Sequence, residues 1–266
     1  VDNIVQSKIP VKLSKHPYSR VELSPEEATL DEVNYVRDVQ APQVRAIVED
    51  FDESIAATLR AATFVNEVSF TPGTTDDWSD PRKVARRAKR LLDSSYVPAS
   101  GRYWLVGAAI SEKIATVEQL LEVDTSGLPE ALRDGVVGRL SGFTIVDWPT
   151  LADDESFFVH NTAVAISAVA PVVPNGAKAG ATIADTGLAV TQVWDYQSAT
   201  MADQSTVHAF TGANLVTDPH VVTATEAATG GTYEGQQVGA IALVDDEPVL
   251  EFVRAVKVNY TAPSGE

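Results

Sequence analysis

GLAVTQVWDYQSATMADQSTVHAFTGANLV, residues 187–216, holds two strand-like runs around a polar centre. Leu188, Val190 and Val193 precede the centre, and Val207, Ala209 and Phe210 follow it. Gln197–Ser205 has no apolar period and reads as a loop tip. The pattern predicts a long β-hairpin. Such a hairpin buries little alone. It needs other elements of its own chain, or another copy of the chain, to cover its faces. This points to an interaction protein rather than an enzyme.

Working outward, helical signals dominate the first third of the chain. Ser24-Pro25-Glu26-Glu27 has a Ser cap, Pro at the first helical position and Glu three residues after the cap. That capping box predicts a helix through Leu30, Val33, Val36 and Val39, which Pro42 breaks or restarts. From Pro42 to about Ala62, the residues Val44, Ile47, Val48, Phe51, Ile55 and Leu59 are spaced 3, 1, 3, 4 and 4, the seam of a long amphipathic helix. A third helix opens at Ser79-Asp80-Pro81 and runs to about Asp93. Its apolar side is Val84, Ala88, Leu91 and Leu92; Arg82, Lys83, Arg86, Arg87, Lys89 and Arg90 take the rest.

Residues 4–23 read as extended, with a kink or turn at His16-Pro17-Tyr18-Ser19. Arg102–Val106 (RYWLV), Phe143–Val146, Phe157–Val169 and Phe252–Tyr260 read as strands, and about Ser111 to Leu121 as helical. Glu122–Asp134, EVDTSGLPEALRD, reads as a loop. Residues 217–247 are rich in Thr, Gly and Asp and suit a surface excursion.

At 266 residues the chain suits one large domain or two modest ones. A net charge of −17 argues against a sequence-reading nucleic-acid binder, whose footprint is basic. It also implies self-repulsion, which any assembly of copies must overcome by apolar burial or screening. There is no cysteine, so disulfides and thiolate metal sites are excluded while the redox compartment stays open. No apolar run approaches the roughly eighteen residues of a membrane helix. The N-terminus VDNIVQSKIPVKLSKHPYS has no signal-peptide core and no initiator Met, and reads as trimmed, processed or incompletely represented at this end.

Catalytic motifs are lacking. Gly138-Arg139-Leu140-Ser141-Gly142 has the wrong spacing for a nucleophile elbow. Gly176, Gly180 and Gly187 are too loosely spaced for a dinucleotide loop, and no phosphate-cradling loop occurs. His16, His160, His208 and His220 do not fall at helical metal spacing with one another or with a suitable carboxylate, so strand packing or exposure is expected for each. Asp153-Asp154-Glu155 and Asp245-Asp246-Glu247 lack the ligand order of a calcium loop and read as solvated turns. No metal and no cofactor is expected. The cations of Arg82–Arg90 form either a phosphate-binding face or a surface that pairs with acidic protein. The acidic balance of the chain favours the second.

The order of motifs resembles that of a known family. A Lys-containing extended segment leads into SPEEATLDEVNYVRDVQAPQVRAIVEDFDESIAATL; then come RYWLVG, GRLSGFTIVDWPTL, FFVHNTAVAISAVAPVVP, the long hairpin and a closing FVRAVKV. This resembles the major capsid proteins of tailed double-stranded DNA phages, most of all those infecting actinobacteria. The resemblance covers roughly residues 11–216 and returns near 252–258. It implies an α+β fold of the Hong Kong 97 type, with a long spine helix, a peripheral β-hairpin, an axial mixed α/β domain and an extended E-loop segment.

The implied division is residues 1–24 as E-loop segment, 25–78 as peripheral domain with the spine helix, 79–172 as axial domain, 173–216 as peripheral hairpin, and 217–266 as surface excursion and closing strand. An N-terminal arm and the first half of the E-loop are expected ahead of this region and are missing from the sequence. The implied assembly contacts are Gln197, Ser198, Thr200, Asp203 and Gln204 at the hairpin tip, and Glu122, Asp124 and Glu130 in the loop at the capsomer axis. The implied function is non-catalytic: self-assembly into pentamers and hexamers of an icosahedral shell around double-stranded DNA, without sequence-specific binding and without a membrane. Scaffold, portal and decoration proteins are the implied partners, the virion the location and the host cytoplasm the place of assembly. Two alternatives stand beside it: a soluble α/β enzyme with an acidic carboxylate cleft, and an encapsulin-like compartment of the same fold.

Overall fold

A computed structural model describes residues 9–24, 36–72, 79–115, 138–185, 187–220, 232, 240–244 and 247–262. The capping-box helix after Ser24, the loop Glu122–Asp134 and most of 221–246 lie outside these. In chain order come β1 (Tyr18–Leu23), a π-type turn (Val36–Gln40), α1 (Ala41–Arg60), β2 (Glu67–Phe70), α2 (Pro81–Ser94), β3 (Arg102–Val106) and α3 (Ala108–Ala115). Then follow β4 (Arg139–Leu140), β5 (Phe143–Asp147), β6 (Ser156–His160), β7 (Val164–Val169), β8 (Ala179–Asp185), β9 (Leu188–Gln197), β10 (Ala202–His208) and β11 (Phe210–Leu215). Four two-residue strands, β12 (Asp218–Pro219), β13 (Leu243–Val244), β14 (Glu247–Pro248) and β15 (Leu250–Glu251), precede β16 (Ala255–Tyr260).

The chain forms two compact units, Val1–Ala61 with Val164–Asn214, and Ala62–Ala163 with Leu215–Glu266. Two stretches fall differently from the sequence division. The stretch with β2, read with the long helix, lies in the second unit, because β2 pairs with β16 there. β7, read with the axial segment, lies in the first, because its ladder partner is β11.

The second unit is a six-stranded mixed sheet in the order β2-β16-β6-β3-β5-β4. β3 runs parallel to β5 and antiparallel to β6. All five residues of β6 are buried, as expected of a strand covered on both faces. Trp104, Phe143 and Phe158 form the centre, each fully buried. α2 packs Val84, Ala85, Ala88 and Leu92 into the same core, and α3 adds Ile110 and Ile114. The spacing of these residues on α2 is that of one helical face. The stretch read as one strand over Phe157–Val169 is two strands, because the chain turns at Asn161–Ala163.

α2 starts as its sequence predicts: the Asp80 carboxylate accepts from the Arg82 N–H at 2.8 Å, with Pro81 in the first turn. It ends in a Schellman turn. Val97 N–H donates to the Leu92 carbonyl at 3.0 Å and Tyr96 N–H to Asp93 at 3.1 Å. The left-handed position is Tyr96, with φ 56°, where glycine is the usual residue. Its side chain is 94% exposed and packs on little. Tyr96→Gly is therefore expected to raise stability by about 0.5–1 kcal/mol. A melting temperature at or below that of the parent would show that Tyr96 carries a contact of its own.

The first unit is a four-stranded antiparallel sheet, β1-β10-β9-β8, with α1 against it and the β7–β11 pair beside it. α1 has the expected length, but its buried face is turned from the apolar seam. Gln43, Ile47, Phe51, Ser54, Ala56 and Leu59 are buried, whereas Val44 is 37% exposed. The polar Gln43 replaces Val44 at the sheet because it meets strand carbonyls there.

Candidate assembly surface

β9 and β10 pair from Thr191–His208 out to Gln197–Ala202. The turn is therefore four residues, Ser198–Met201, with Met201 at φ 53°. The loop tip expected over Gln197–Ser205 is shorter than that, because Ala202–Ser205 belong to β10. Asp203 and Gln204 lie within β10: Lys178 Nζ donates to Asp203 Oδ1 at 3.3 Å, and Gln204 Nε2 donates to Glu22 Oε1 on β1 at 3.3 Å. Gln197, Ser198 and Thr200 do sit at the exposed end. Glu122, Asp124 and Glu130 lie outside the described residues. The misplacement has a physical cause. The buried positions of β10 are Ala202, Ser205 and Val207; they do not alternate, and two of them are too small or polar to register as an apolar pattern.

Ser205 is buried because α1 supplies its partners. Gln43 Nε2 donates to the Ser205 carbonyl at 3.0 Å and to the Ser19 carbonyl of β1 at 3.1 Å. In return Ser205 Oγ donates to Gln43 Oε1 at 2.9 Å. Gln192 Nε2 on β9 donates to Ser205 Oγ at 3.3 Å, and Gln40 Nε2 to Gln192 Oε1 at 2.6 Å. One network thus ties the helix to three strands at the root of the hairpin. Nothing in the local sequence marks Gln43; its neighbour Val44 carries the stronger signal.

Among the described residues the sheet has little apolar cover from its own unit. Among these, Ile47, Val207 and Ala209 form its small apolar cluster, against seventeen residues in the core of the second unit. Tyr18, Ile183, Tyr196 and Met201 are between 53% and 67% exposed. Exposed apolar side chains on strand edges and at a hairpin end are what an interaction surface offers.

The segment before β1 lies on the β10–β11 turn. Lys15 and Thr211 exchange both backbone hydrogen bonds, at 3.1 and 3.0 Å, and Asn214 Nδ2 donates to the Pro10 carbonyl at 2.9 Å. Gly212 is required here, since a Cβ would collide with the Lys12 carbonyl. His16 meets His208, a pairing 192 residues apart that no spacing could reveal.

The other histidines are held by single strands or loops. His160, on β6, bonds the Ser100 carbonyl at 2.9 Å and Thr162 Oγ1 at 2.8 Å, and burial lowers its pKa. His220 bonds Glu251 at 2.9 Å. Among the described residues no group of three or more His, Asp or Glu gathers at metal-binding distance, and no helix is long and apolar enough to cross a membrane.

On α2, Lys83, Arg86, Lys89 and Arg90 are exposed along one side, while Arg82 pairs with Asp80 at 3.5 Å. If this side serves acidic protein surface, the purified chain should bind duplex DNA weakly and without sequence preference. Submicromolar binding at about 150 mM salt, with a steep salt slope, would overturn that reading.

No protein-family model matches the sequence, and no curated protein matches it. Solved structures do. One from Mycobacterium phage Che8 is 17% identical with a TM-score of 0.61, over 97% of this chain and 75% of that one. The capsid structure of cyanophage P-SCSP1u is 11% identical with a TM-score of 0.56, over 95% and 74%. The head structure of Helicobacter pylori bacteriophage KHP40 is 11% identical with a TM-score of 0.55, over 92% and 73%. The chain therefore has the α+β fold of phage capsid structures, the Hong Kong 97 type, with its long helix and β-hairpin.

Proposed function

We propose that this chain is a structural shell subunit, the major capsid protein of a tailed double-stranded DNA phage. The observation that carries the reading is the fold likeness over nearly the whole chain, joined to a hairpin sheet that exposes Tyr18, Ile183, Tyr196 and Met201. In this reading α1 is the spine helix, the β9–β10 hairpin the peripheral hairpin, and the segment through β1 the E-loop strand. The second unit holds most of the axial domain. Copies assemble as pentamers and hexamers in the host cytoplasm and close an icosahedral shell around the genome. The wall performs no catalysis. Scaffold, portal and decoration proteins are its further partners. The likeness to a mycobacterial phage structure supports an actinobacterial host.

Negative-stain microscopy of the full-length protein tests this directly. Closed shells, or five- and six-fold rings, are expected; a uniform monomer at every concentration would sink the proposal. A second test separates the fold of the hairpin from its assembly role. Replacing Ser198–Met201 with Asn-Gly keeps the Gln197–Ala202 pair and gives a two-residue turn suited to strand twist. The melting temperature should move by less than about 3 °C, because loop tips tolerate change. Closed shells should be lost, because the tip contact recurs many times per particle. Normal shells from this variant would show that the tip is not an assembly contact.

A further inference from the structure

We propose that the His16–His208 contact is an acid-released latch, which holds the segment Ile9–Pro17 on the β10–β11 turn at neutral pH and frees it below. The inference concerns one subunit and does not depend on the assembled state.

Few other hydrogen bonds hold the segment among the described residues. Besides the Lys15–Thr211 exchange, Ala209 N–H donates to the Pro17 carbonyl at 3.1 Å and Asn214 reaches Pro10. Lys12, Leu13, Ser14, Lys15 and His16 are exposed, and Ile9, Val11 and Pro17 are only half-buried, so packing adds little. Few buried contacts and a short ladder put such a segment at the low end of local stability.

His16 Nε2 lies 3.0 Å from His208 Nδ1, and the His16 ring sits on Phe210 with centroids 4.6 Å apart. A bond between two ring nitrogens needs one N–H and one free lone pair. It survives one added proton but not two, because two imidazolium rings present donor to donor and repel. His208 is also poorly placed to carry charge. Its Nε2 is buried and has no hydrogen-bond partner among the described residues. Burial, and then the neighbouring charge of His16, lower its pKa.

The groups around the pair come from α1, from the segment itself and from the neighbouring strands. From α1, Asp50 lines an open cleft of about 360 Å³ together with His16 and Tyr18. Lys15 adjoins on the segment itself. The neighbouring strands set Tyr18 of β1 and Thr191 of β9 opposite His208 in the ladder, with Phe210 and Thr211 following on β11; of these only Tyr18 is titratable, and a phenol is neutral across the histidine range. A charge on His16 opposes one on His208. The sign follows. A histidine whose pKa is lowered in the docked state holds fewer protons there than when released. Docking is therefore fully stabilised above the usual histidine value near 6.5, and it weakens as pH falls through that value toward the lowered one.

Hydrogen exchange on the full chain tests the latch at the amides of Lys15, Ala209 and Thr211. Corrected for intrinsic rates, their protection should fall about tenfold from about pH 7.5 to about pH 5.5. The amides of β3 and β6 should not change over that range, which separates local release from acid unfolding. His16→Gln keeps a donor toward His208 and should retain protection at neutral pH while flattening the pH response. His208→Gln serves if that variant does not dock. A variant already undocked at neutral pH also supports the latch, since removing the contact then mimics acid. Unchanged wild-type protection across the range would overturn the proposal. So would a pH response that persists in both variants.

Discussion

Trp104→Ala is expected to destabilise the second unit by about 4–5 kcal/mol, the upper end for a large core truncation. Trp104 is fully buried, and its ring stacks on Phe158 with centroids 4.6 Å apart and planes at 23°. Phe143 closes the cluster against Phe158 at 4.7 Å. The side chain also carries a polar tie. Its Nε1 donates to Ser156 Oγ at 2.7 Å, and Ser156 Oγ donates to the Leu105 carbonyl at 3.0 Å, joining β3 to β6 at a buried position. Truncation therefore opens a cavity at the middle of the sheet and removes the donor to a buried hydroxyl. Trp104→Phe separates the two effects: it keeps most of the stacking and should cost about 1–2 kcal/mol. Urea unfolding followed by circular dichroism measures both. A loss below about 1.5 kcal/mol for the alanine variant would mean that the cluster is not the core of this unit.

Gln43→Leu is expected to cost about 3 kcal/mol, although it preserves volume and adds apolar surface. The glutamine is 1% exposed, and its amide serves the carbonyls of Ser19 and Ser205 while its oxygen accepts from Ser205 Oγ. Leucine leaves those groups without their partner in a dry site, and each such loss costs about 1–3 kcal/mol. Gln43→Glu should be worse at neutral pH, because the carboxylate would face two carbonyls. Hydrogen exchange should show weakened protection in β1, β9 and β10, with the strands of the second unit unchanged. A stability change below about 1 kcal/mol for the leucine variant would show that water replaces the amide, and that the network does not hold the hairpin root.

Both sites show where the reach of sequence reading ends. RYWLV is legible as a strand, and Trp104 as an apolar residue within it, because β-propensity and apolar clustering are local. α1 and α2 are legible for the same reason: Pro42, the Asp80 cap and the 3–4 spacing all act within a few turns. The hairpin is legible as two runs around a turn. The α+β class and the resemblance to capsid subunits follow from the order of these local signals.

What lay beyond that reach depends on partners distant in sequence. The choice of Gln43 over Val44 as the buried position rests on Ser205, 162 residues away. The tip at Ser198–Met201 rather than Gln197–Ser205 rests on β1 and α1 covering the polar half of β10. The parallel pairing of β2 with β16 joins residues 190 positions apart, Glu67 with Lys257. The His16–His208 contact spans 192. A helix or a turn is stabilised by bonds between near neighbours, so its code is printed along the chain. Burial of a polar side chain is favourable only where a partner waits, and where that partner stands is settled when the distant segments pack.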